Sequence, residues 1–200
     1  MLRPNDDSRM AIVFLGLDVG TSGVKAILVS PSGDVVASAS TPLAMSTPHP
    51  GWAEQDPEAW WAASLASVRD VLAQRPNDSV AAVGISGQMH SSVFLDRSGS
   101  VVRPALLWCD GRTTAECVEI TRRAGGEDKL RDWVSNAALE GFTLPKVLWL
   151  RRHLPHHLRR AAHVGKQRAR HVDGGEQLLA PALARGVVHQ RARRVGWLGA

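Results

Sequence analysis

The sequence predicts an α/β fold with a mixed β-sheet whose first three strands are antiparallel. Apolar segments of strand length, separated only by short turns, lie at residues 11–17, 24–30 and 35–40. Because short turns join antiparallel neighbours, these segments predict three successive antiparallel strands. A helical pattern follows, and strand-like segments return at residues 80–86, 91–96 and 105–108. Strands on both sides of a helix in the chain indicate a mixed sheet.

The first strand segment, residues 11–17, is a continuous apolar run that stops at Asp18. A run of this kind predicts a central strand that is buried on both faces. The turns that flank the second strand lie at residues 20–23 and 31–34, where glycine, serine and proline favour chain reversal.

The helix that follows is predicted to begin near Pro57 and to end near Gln74. Asp56 is placed to cap its free amides, Pro57 suits the first helical position, and Glu58 complements the positive end of the helix dipole. Apolar residues that recur at helical spacing predict one buried stripe along this helix. The stripe comprises Trp61, Leu65, Val68 and Leu72.

The remaining segments complete the organisation of the chain. Residues 41–56 predict an extended loop, and residues 113–123 and 144–153 predict helices, with Pro145 in the first turn of the second one. The predicted parts are a disordered leader at 1–10, one domain at 11–160 and a basic tail at 161–200.

Length and composition exclude several classes of protein. A chain of 200 residues and 21.6 kDa can bury one hydrophobic core, and 44% hydrophobic with 22% charged residues excludes a disordered or collagen-like chain. Only Cys109 and Cys117 are available for a disulfide, which disfavours a secreted disulfide framework and indicates the cytoplasm. The longest apolar run, residues 10–17, is far shorter than the ~20 residues of a membrane helix, so no membrane partner is expected.

Charge is distributed unevenly along the chain. Residues 1–150 contain 13 Lys and Arg against 17 Asp and Glu, whereas residues 151–200 contain 11 against 2. The basic excess therefore belongs to the tail and is not evidence that the folded part binds nucleic acid. After about residue 155 neither a helical nor a strand period persists, which predicts a solvated, partly disordered tail.

The strongest chemical signal is the turn between the first two strands. Gly20 and Gly23 allow backbone amides to approach an anion, and Thr21 and Ser22 add hydroxyl donors, which together predict a phosphate cradle. Asp18 would face the same opening and is suited to hold Mg²⁺ through water. The alternative is an ordinary β-turn with a hydrophilic tip. The glycine spacing fits neither a dinucleotide fingerprint nor a P-loop.

Another strand-like segment, residues 80–86, also leads into polar side chains. Gln88 and His90, which flank Met89, supply hydrogen bonds suited to a polyhydroxyl ligand. A purely structural role is the alternative for a lone histidine in this position.

Residues 106–112 repeat this arrangement at another strand end. Asp110 can accept hydrogen bonds from sugar hydroxyls, Arg112 can orient it, and Trp108 can offer an apolar wall. The alternative is an Asp–Arg pair at a helix start. Cys109 and Cys117 lack the neighbours of a nucleophile or of a zinc site. In residues 48–57, Trp52 either stacks on a ligand or packs over the following helix, and packing is favoured.

In this order, these segments resemble the FGGY carbohydrate kinases over residues 11–163. The resemblance rests on the stretches GLDVGTSGVKAILV, HPGWAEQDPEAWW, VGISGQMHSSVFLD, RPALLWCDGR and GFTLPKVLWLRRHLP. It implies a ribonuclease-H-like fold of the actin and hexokinase type, of which this chain would supply the first of two domains.

The resemblance also implies an ATP-dependent sugar kinase with magnesium as cofactor. Residues 88–90 favour the branch that phosphorylates D-xylulose to D-xylulose 5-phosphate, with glycerol, gluconate and ribulose as alternative substrates. The resemblance is also compatible with a homodimer in intact members of the family. The implied residues are Asp18 for catalysis and the metal, Gly20, Thr21, Ser22, Gly23 and Lys25 for the nucleotide phosphates, and Gln88, Met89, His90 and Asp110 for the sugar.

Two departures from the family pattern bear on activity. The family's general-base aspartate and adenine pocket lie beyond the first domain, and Cys109 stands where an asparagine is usual. After residue 163 the chain changes to an Arg, His, Gly and Ala mixture, which is typical of a GC-rich gene translated in the wrong frame. We therefore expect a frameshifted, truncated member of the family with almost no kinase activity. A non-catalytic module with a nucleic-acid-binding tail is the alternative, which the absence of aromatic residues interleaved with the basic ones disfavours.

Overall fold

The computed structural model describes residues 10–165, which divide into two compact units. The first unit contains residues 10–44 and 58–88, and the second contains residues 45–57 and 89–165. The strands are β1 (Ile12–Val19), β2 (Gly23–Val29), β3 (Val35–Pro42), β4 (Glu54–Gln55), β5 (Ser79–Gly87), β6 (Val93–Leu95), β7 (Ala105–Leu106) and β8 (His163–Gly165). The helices are α1 (Pro57–Ala73), α2 (Thr114–Ala124), α3 (Glu127–Val134), α4 (Thr143–His153) and α5 (Pro155–Arg160).

The first unit contains a four-stranded sheet in the order β3-β2-β1-β5. β1 pairs with β2 and β2 pairs with β3 in antiparallel fashion, whereas β5 runs parallel to β1. The predicted mixed sheet and its three antiparallel strands are therefore confirmed. The α1 helix lies in the chain between β3 and β5, and this long connection allows β5 to run parallel to β1.

The first strand differs from the prediction, because it is buried on one face only. Its side chains alternate between buried and accessible positions, and Ile12 is 57% exposed and Phe14 41% exposed. The buried face carries Val13, Leu15, Leu17 and Val19. The strand therefore alternates between a buried and an accessible face, although nearly all of its side chains are apolar. In the sequence, only Gly16 and Asp18 indicate the accessible face.

Helix α1 is fastened to the sheet of the first unit by small polar side chains. The Ser67 hydroxyl donates to the Val24 carbonyl at 3.1 Å and lies 2.8 Å from the Thr41 hydroxyl. The buried face of α1 is rotated about the helix axis from the predicted stripe, of which only Val68 is fully buried. The buried positions are Trp60, Ala63, Ser64, Ser67, Val68 and Val71. Small serine side chains lie on this face because they permit close approach, and a count of apolar residues alone misses them.

The second unit is built from short strand pairs and four helices. β4 pairs with β7 and β6 pairs with β8, both antiparallel. Phe94, Leu106, Trp149 and Leu150 form the buried core cluster of this unit. The predicted helices at 113–123 and 144–153 are confirmed as α2 and α4, with Pro145 in the first turn of α4.

Order in the second unit continues beyond the predicted change of character near residue 155. Helix α5 and strand β8 follow, and Leu154, Leu158 and Ala161 pack on the core cluster. The loss of a regular apolar period after residue 155 therefore does not end the ordered structure, and residues 155–160 lie within the predicted domain at 11–160. The predicted leader and most of the predicted tail lie outside the described residues. Within the described part of the chain, no helix is long and apolar enough to cross a membrane.

Candidate active site

The predicted phosphate cradle is the tight turn that joins β1 to β2 in the first unit. The Gly20 amide donates to the Gly23 carbonyl at 3.0 Å, so this amide closes the turn. A side chain on Gly23 would lie 2.9 Å from the Thr41 carbonyl oxygen of β3. The close approach of β3 therefore requires glycine at this position. Ser22 is exposed at the tip, and Lys25 is exposed on β2.

Gln88 lies against this turn, which the sequence did not predict. Its backbone amide donates to the Val19 carbonyl at 3.1 Å, and its side-chain amide donates to the Gly20 carbonyl at 3.3 Å. Its side-chain carbonyl accepts from the Thr21 hydroxyl at 3.4 Å. The residue that follows β5 thus braces the turn that follows β1, as the parallel pairing of β1 with β5 brings their carboxyl ends together.

Asp18 lies beside the turn on the accessible face of the sheet. Its Oδ1 atom accepts a hydrogen bond from Ser86 Oγ at 2.6 Å, and Lys25 is its partner in the register of β1 with β2. The described residues contain no group of three or more His, Cys, Asp or Glu side chains that could enclose a metal ion. A single exposed carboxylate fits Mg²⁺ that is held mainly through water and phosphate oxygens.

Met89 and His90 are the first residues of the longer segment of the second unit. Met89 is 65% exposed, and His90 has a left-handed backbone with φ of 64°. The His90 ring lies 4.8 Å from the Phe142 ring between centroids. A positive φ in a residue other than glycine is uncommon and needs support from its surroundings.

Lys146 supplies such support from the first turns of α4. Its side chain is fully buried, and its ammonium donates to the His90 carbonyl at 3.2 Å and to the Gly141 carbonyl. Burial lowers the pKa of Lys146 from 10.5 to about 8, although the Asp110 charge acts in the opposite direction. The sequence contains one signal for this residue, a lysine within the apolar stretch 144–150, which indicates a buried charge with a specific partner.

Asp110 forms the Asp–Arg pair that is the alternative to a sugar contact. Its two carboxylate oxygens accept from the Arg112 side chain at 2.8 and 2.6 Å, from the Arg112 amide at 3.1 Å, and from the Ala53 amide at 2.7 Å. Asp110 is 1% exposed. Arg112 orients it as predicted, and the four hydrogen bonds occupy the lone pairs of the carboxylate. Its contact with a sugar remains a prediction.

The Asp110–Arg112 pair belongs to a larger buried cluster in the second unit. Arg112 Nη2 lies 2.8 Å from Glu54 Oε1, which also pairs with Arg103. The Arg112 guanidinium stacks 3.7 Å from the centroid of Trp52, and the Trp52 ring meets Trp149 edge to face at 5.4 Å. Trp52 therefore packs against Arg112 and α4, whereas the sequence predicted packing over the helix that follows it, α1. Two acidic and two basic groups make the cluster electrically balanced.

Trp108 is the remaining predicted candidate, and the two cysteines were predicted to have no role in the site. Trp108 is 50% exposed, and its backbone amide donates to Ser91 Oγ at 3.1 Å. Cys109 is an exposed free thiol and Cys117 a buried one, and burial raises the pKa of Cys117. The structure therefore brings Asp18, Lys25 and Gln88 to one turn in the first unit. In the second unit, Lys146 joins His90 to Gly141.

Comparison with known proteins establishes the class of protein. Residues 13–168 match the model of the FGGY family of carbohydrate kinases, N-terminal domain. The chain belongs to this family, and the ribonuclease-H-like fold of the actin and hexokinase type is confirmed.

Individual relatives narrow the comparison. The chain is 46% identical over 144 residues to the xylulose kinase of Klebsiella pneumoniae and 44% identical over 143 residues to that of Escherichia coli. These matches cover 70% and 72% of this chain and 29% of each relative. A crystal structure of xylulose kinase from Rhodospirillum rubrum superposes with a TM-score of 0.72 at 32% identity, covering 76% of this chain and 31% of that one. The chain thus spans less than a third of the length of these relatives.

Proposed function

We propose that this chain provides the phosphate-binding turn and part of the sugar site of an ATP-dependent xylulose kinase. The reaction is transfer of the γ-phosphoryl group of ATP to the terminal hydroxyl of D-xylulose, which gives D-xylulose 5-phosphate. The observation that carries the proposal is the braced turn, in which Gln88 bridges Gly20 and Thr21 while Asp18 and Lys25 lie on the neighbouring strand positions. The similarity to xylulose kinases supports the choice of substrate.

The chemistry of phosphoryl transfer suits such a turn. Little covalent work falls to the protein in this reaction, and catalysis depends on positioning and on stabilising the charge of the phosphates. The Thr21 and Ser22 hydroxyls supply donors at the tip, and Lys25 supplies a positive charge. Magnesium, when bound near Asp18, would neutralise phosphate charge. The braced, glycine-bearing turn keeps these groups in place without reorganisation.

The sugar side of the proposal rests on Met89 and His90. Met89 offers an exposed apolar surface, and the His90 imidazole offers a hydrogen-bonding group. Asp110 is proposed as a further sugar contact, and it would have to exchange one of its present hydrogen bonds for a sugar hydroxyl. Glycerol, gluconate and ribulose remain the competing substrates. A homodimer and a cytoplasmic location belong to the same proposal.

A chimeric enzyme tests the function directly. Residues 13–163 of this chain, which precede the predicted frameshift, replace the matching segment of the Escherichia coli xylulose kinase. Phosphorylation is measured with D-xylulose, D-ribulose, gluconate and glycerol. We expect turnover with D-xylulose to exceed that with the other three substrates. A folded chimera that phosphorylates another substrate best, or none, would contradict the proposal.

A matched pair of variants in the chimera tests the turn. Asp18→Asn is expected to lower kcat by roughly 100-fold or more, because it removes a charge that faces the phosphates. Asp34→Asn alters an exposed carboxylate at the other hairpin of the same sheet and is expected to leave kcat unchanged. Equal rates for the two variants would remove Asp18 from the proposed site.

The 200-residue chain itself is expected to show almost no turnover. The resemblance places the family's general base and adenine pocket beyond the first domain, and loss of general-base assistance typically costs ~10² to 10⁴ in rate. A coupled assay for ADP release, with D-xylulose and Mg-ATP, measures this. Turnover at an ordinary kinase rate would show that the chain carries a complete catalytic apparatus.

A further inference from the structure

Lys146, a buried lysine of the second unit, links the backbone at His90 to the backbone at Gly141. Lys146 is fully buried, and its ammonium donates to the carbonyls of His90 and Gly141. His90 follows β5 and adjoins Met89, whereas Gly141 precedes α4. One side chain thus connects the start of the proposed sugar-binding segment to the start of a helix.

The first of these contacts falls on a strained residue. His90 adopts a φ of 64°, and among the described residues other than glycine only Ser135 shares a positive φ. An imidazole-bearing residue in this conformation needs its backbone held by fixed partners. A charged donor 3.2 Å from the His90 carbonyl provides such a partner, since hydrogen bonds from charged groups are stronger than neutral ones.

The second contact fixes the lysine itself. Gly141 is confined, because a side chain there would meet the Trp108 carbonyl oxygen at 2.9 Å. Phe142, the next residue, places its ring 4.8 Å from the His90 ring. The Lys146 ammonium is therefore held between two backbone segments that lie close together, and its removal would take a charged donor from the His90 carbonyl.

We propose that Lys146 is a positioning residue for the sugar site, which holds His90 in its left-handed conformation so that Met89 and His90 are presented to the substrate. This inference rests on the proposed function. Lys146 is fully buried, so it acts through His90 and does not touch the substrate.

The matched variants are Lys146→Met and Lys129→Met in the full 200-residue chain. Methionine keeps the length of the lysine stem. The substitution removes the cost of burying the charge, but it leaves the His90 and Gly141 carbonyls without this donor. Lys129 is exposed on α3 and serves as the control. Melting temperature, the backbone NMR signals of Met89 and His90, and D-xylulose affinity are measured for each protein.

A positioning role predicts a separation between stability and binding. Lys146→Met is expected to stay folded, since the relief of a buried charge offsets the loss of two hydrogen bonds. It is expected to shift the His90 and Met89 signals and to weaken D-xylulose binding by about tenfold or more. Lys129→Met is expected to change none of the three. A Lys146→Met chain with unshifted His90 signals and unchanged sugar affinity would overturn the inference. So would a loss of affinity that only follows a loss of folded protein.

Two further results separate this inference from the proposed function. If the unmodified chain does not bind D-xylulose, the proposed sugar site fails in this chain, while the His90 signals still decide whether Lys146 holds that residue. If Lys146→Met does not fold, Lys146→Gln, whose amide can still donate one hydrogen bond, is judged by the same signals. A Lys146→Gln chain with the His90 signals of the unmodified protein and weak sugar binding would also contradict the role.

Discussion

Replacement of Asp110 by asparagine is expected to destabilise the second unit strongly. The carboxylate is 1% exposed and accepts four hydrogen bonds, two of them from the Arg112 side chain, which is itself 1% exposed. Asparagine removes the negative charge and turns one acceptor into a donor that faces a guanidinium. Loss of one partner from a buried ion pair typically costs ~3 to 5 kcal/mol, because the other charge stays buried.

The size of the effect makes it measurable by thermal unfolding. For a domain of this length each kcal/mol shifts the melting temperature by ~2 to 4 °C, so a decrease of roughly 6 to 20 °C is expected. The Glu54 carboxylate, 2.8 Å from Arg112, still compensates part of the buried Arg112 charge. The decrease in melting temperature is therefore expected near the lower end of this range.

Circular dichroism of the full 200-residue chain provides the assay. Asp132→Asn, which changes an exposed carboxylate on α3, is the matched control and should alter the melting temperature by no more than a degree or two, or ~0.5 kcal/mol. If Asp110→Asn melts within this range of the control, Asp110 does not stabilise the cluster. A direct contact with the sugar would then be the better account of this residue.

Three other perturbations have signs fixed by the structure. The pKa of Lys146 is lowered to about 8 in the folded chain, so the unfolded chain binds more protons between about pH 8 and 10.5. The free energy of unfolding should therefore rise with pH in this range, by up to ~3 kcal/mol. A pH series of denaturant titrations measures the rise, and Lys146→Met should abolish it. Gly23→Ala brings a side chain to 2.9 Å from the Thr41 carbonyl and should cost ~1 to 3 kcal/mol in denaturant unfolding, whereas Gly84→Ala, with open space around it, should cost under ~1 kcal/mol; equal costs would contradict the packing of the turn. Among the described strands β5 pairs only with β1, so it forms an edge of the sheet, and it has no charged side chain. A lysine on this edge, as in Ala81→Lys, should therefore reduce concentration-dependent association in sedimentation velocity. An unchanged sedimentation profile would show that this edge does not associate.

Much of the first unit could be predicted from its sequence, since local signals determine it. Short glycine-bearing turns predict the antiparallel strands, and Asp56-Pro57-Glu58 predicts the start of α1. The sequence does not reveal which faces are covered, because burial depends on distant partners. Phe14 is apolar and exposed, whereas Ser67 is polar and buried, since the helix contacts one face of β1 and approaches the sheet closely.

The candidate site was predictable in its residue types and less so in their partners. The contact of Gln88 with the turn after β1 was not predicted, because the parallel register of β1 and β5 cannot be inferred from local sequence, and its contact with the sugar stays a prediction. The role of Lys146 depends on Gly141 and on His90, which is 56 residues away in the chain. Contacts of this separation require the folded chain. The Asp110–Arg112 pair, by contrast, spans two residues and was foreseen as one of two alternatives.

The frameshift after residue 163 stays a prediction, which the DNA sequence of the gene tests. A second frame that restores family-like sequence downstream of codon 163 is the expected result. Confirmation of the present frame, with no such sequence in either alternative frame, would contradict the frameshift hypothesis.

The most direct test of the central claim is a comparison of the two hairpin tips of the sheet by NMR during a titration of the full chain with Mg-ATP. The first tip, at residues 20–23, is the proposed phosphate contact, and the second, at residues 31–34, is an exposed turn of similar size in the same sheet. The backbone amide signals of Gly20, Thr21, Ser22 and Gly23 are expected to shift with a saturable dependence on nucleotide, while those of the second tip stay in place. Signals that shift equally at both tips, or at neither, would contradict the assignment of the first tip to phosphate binding.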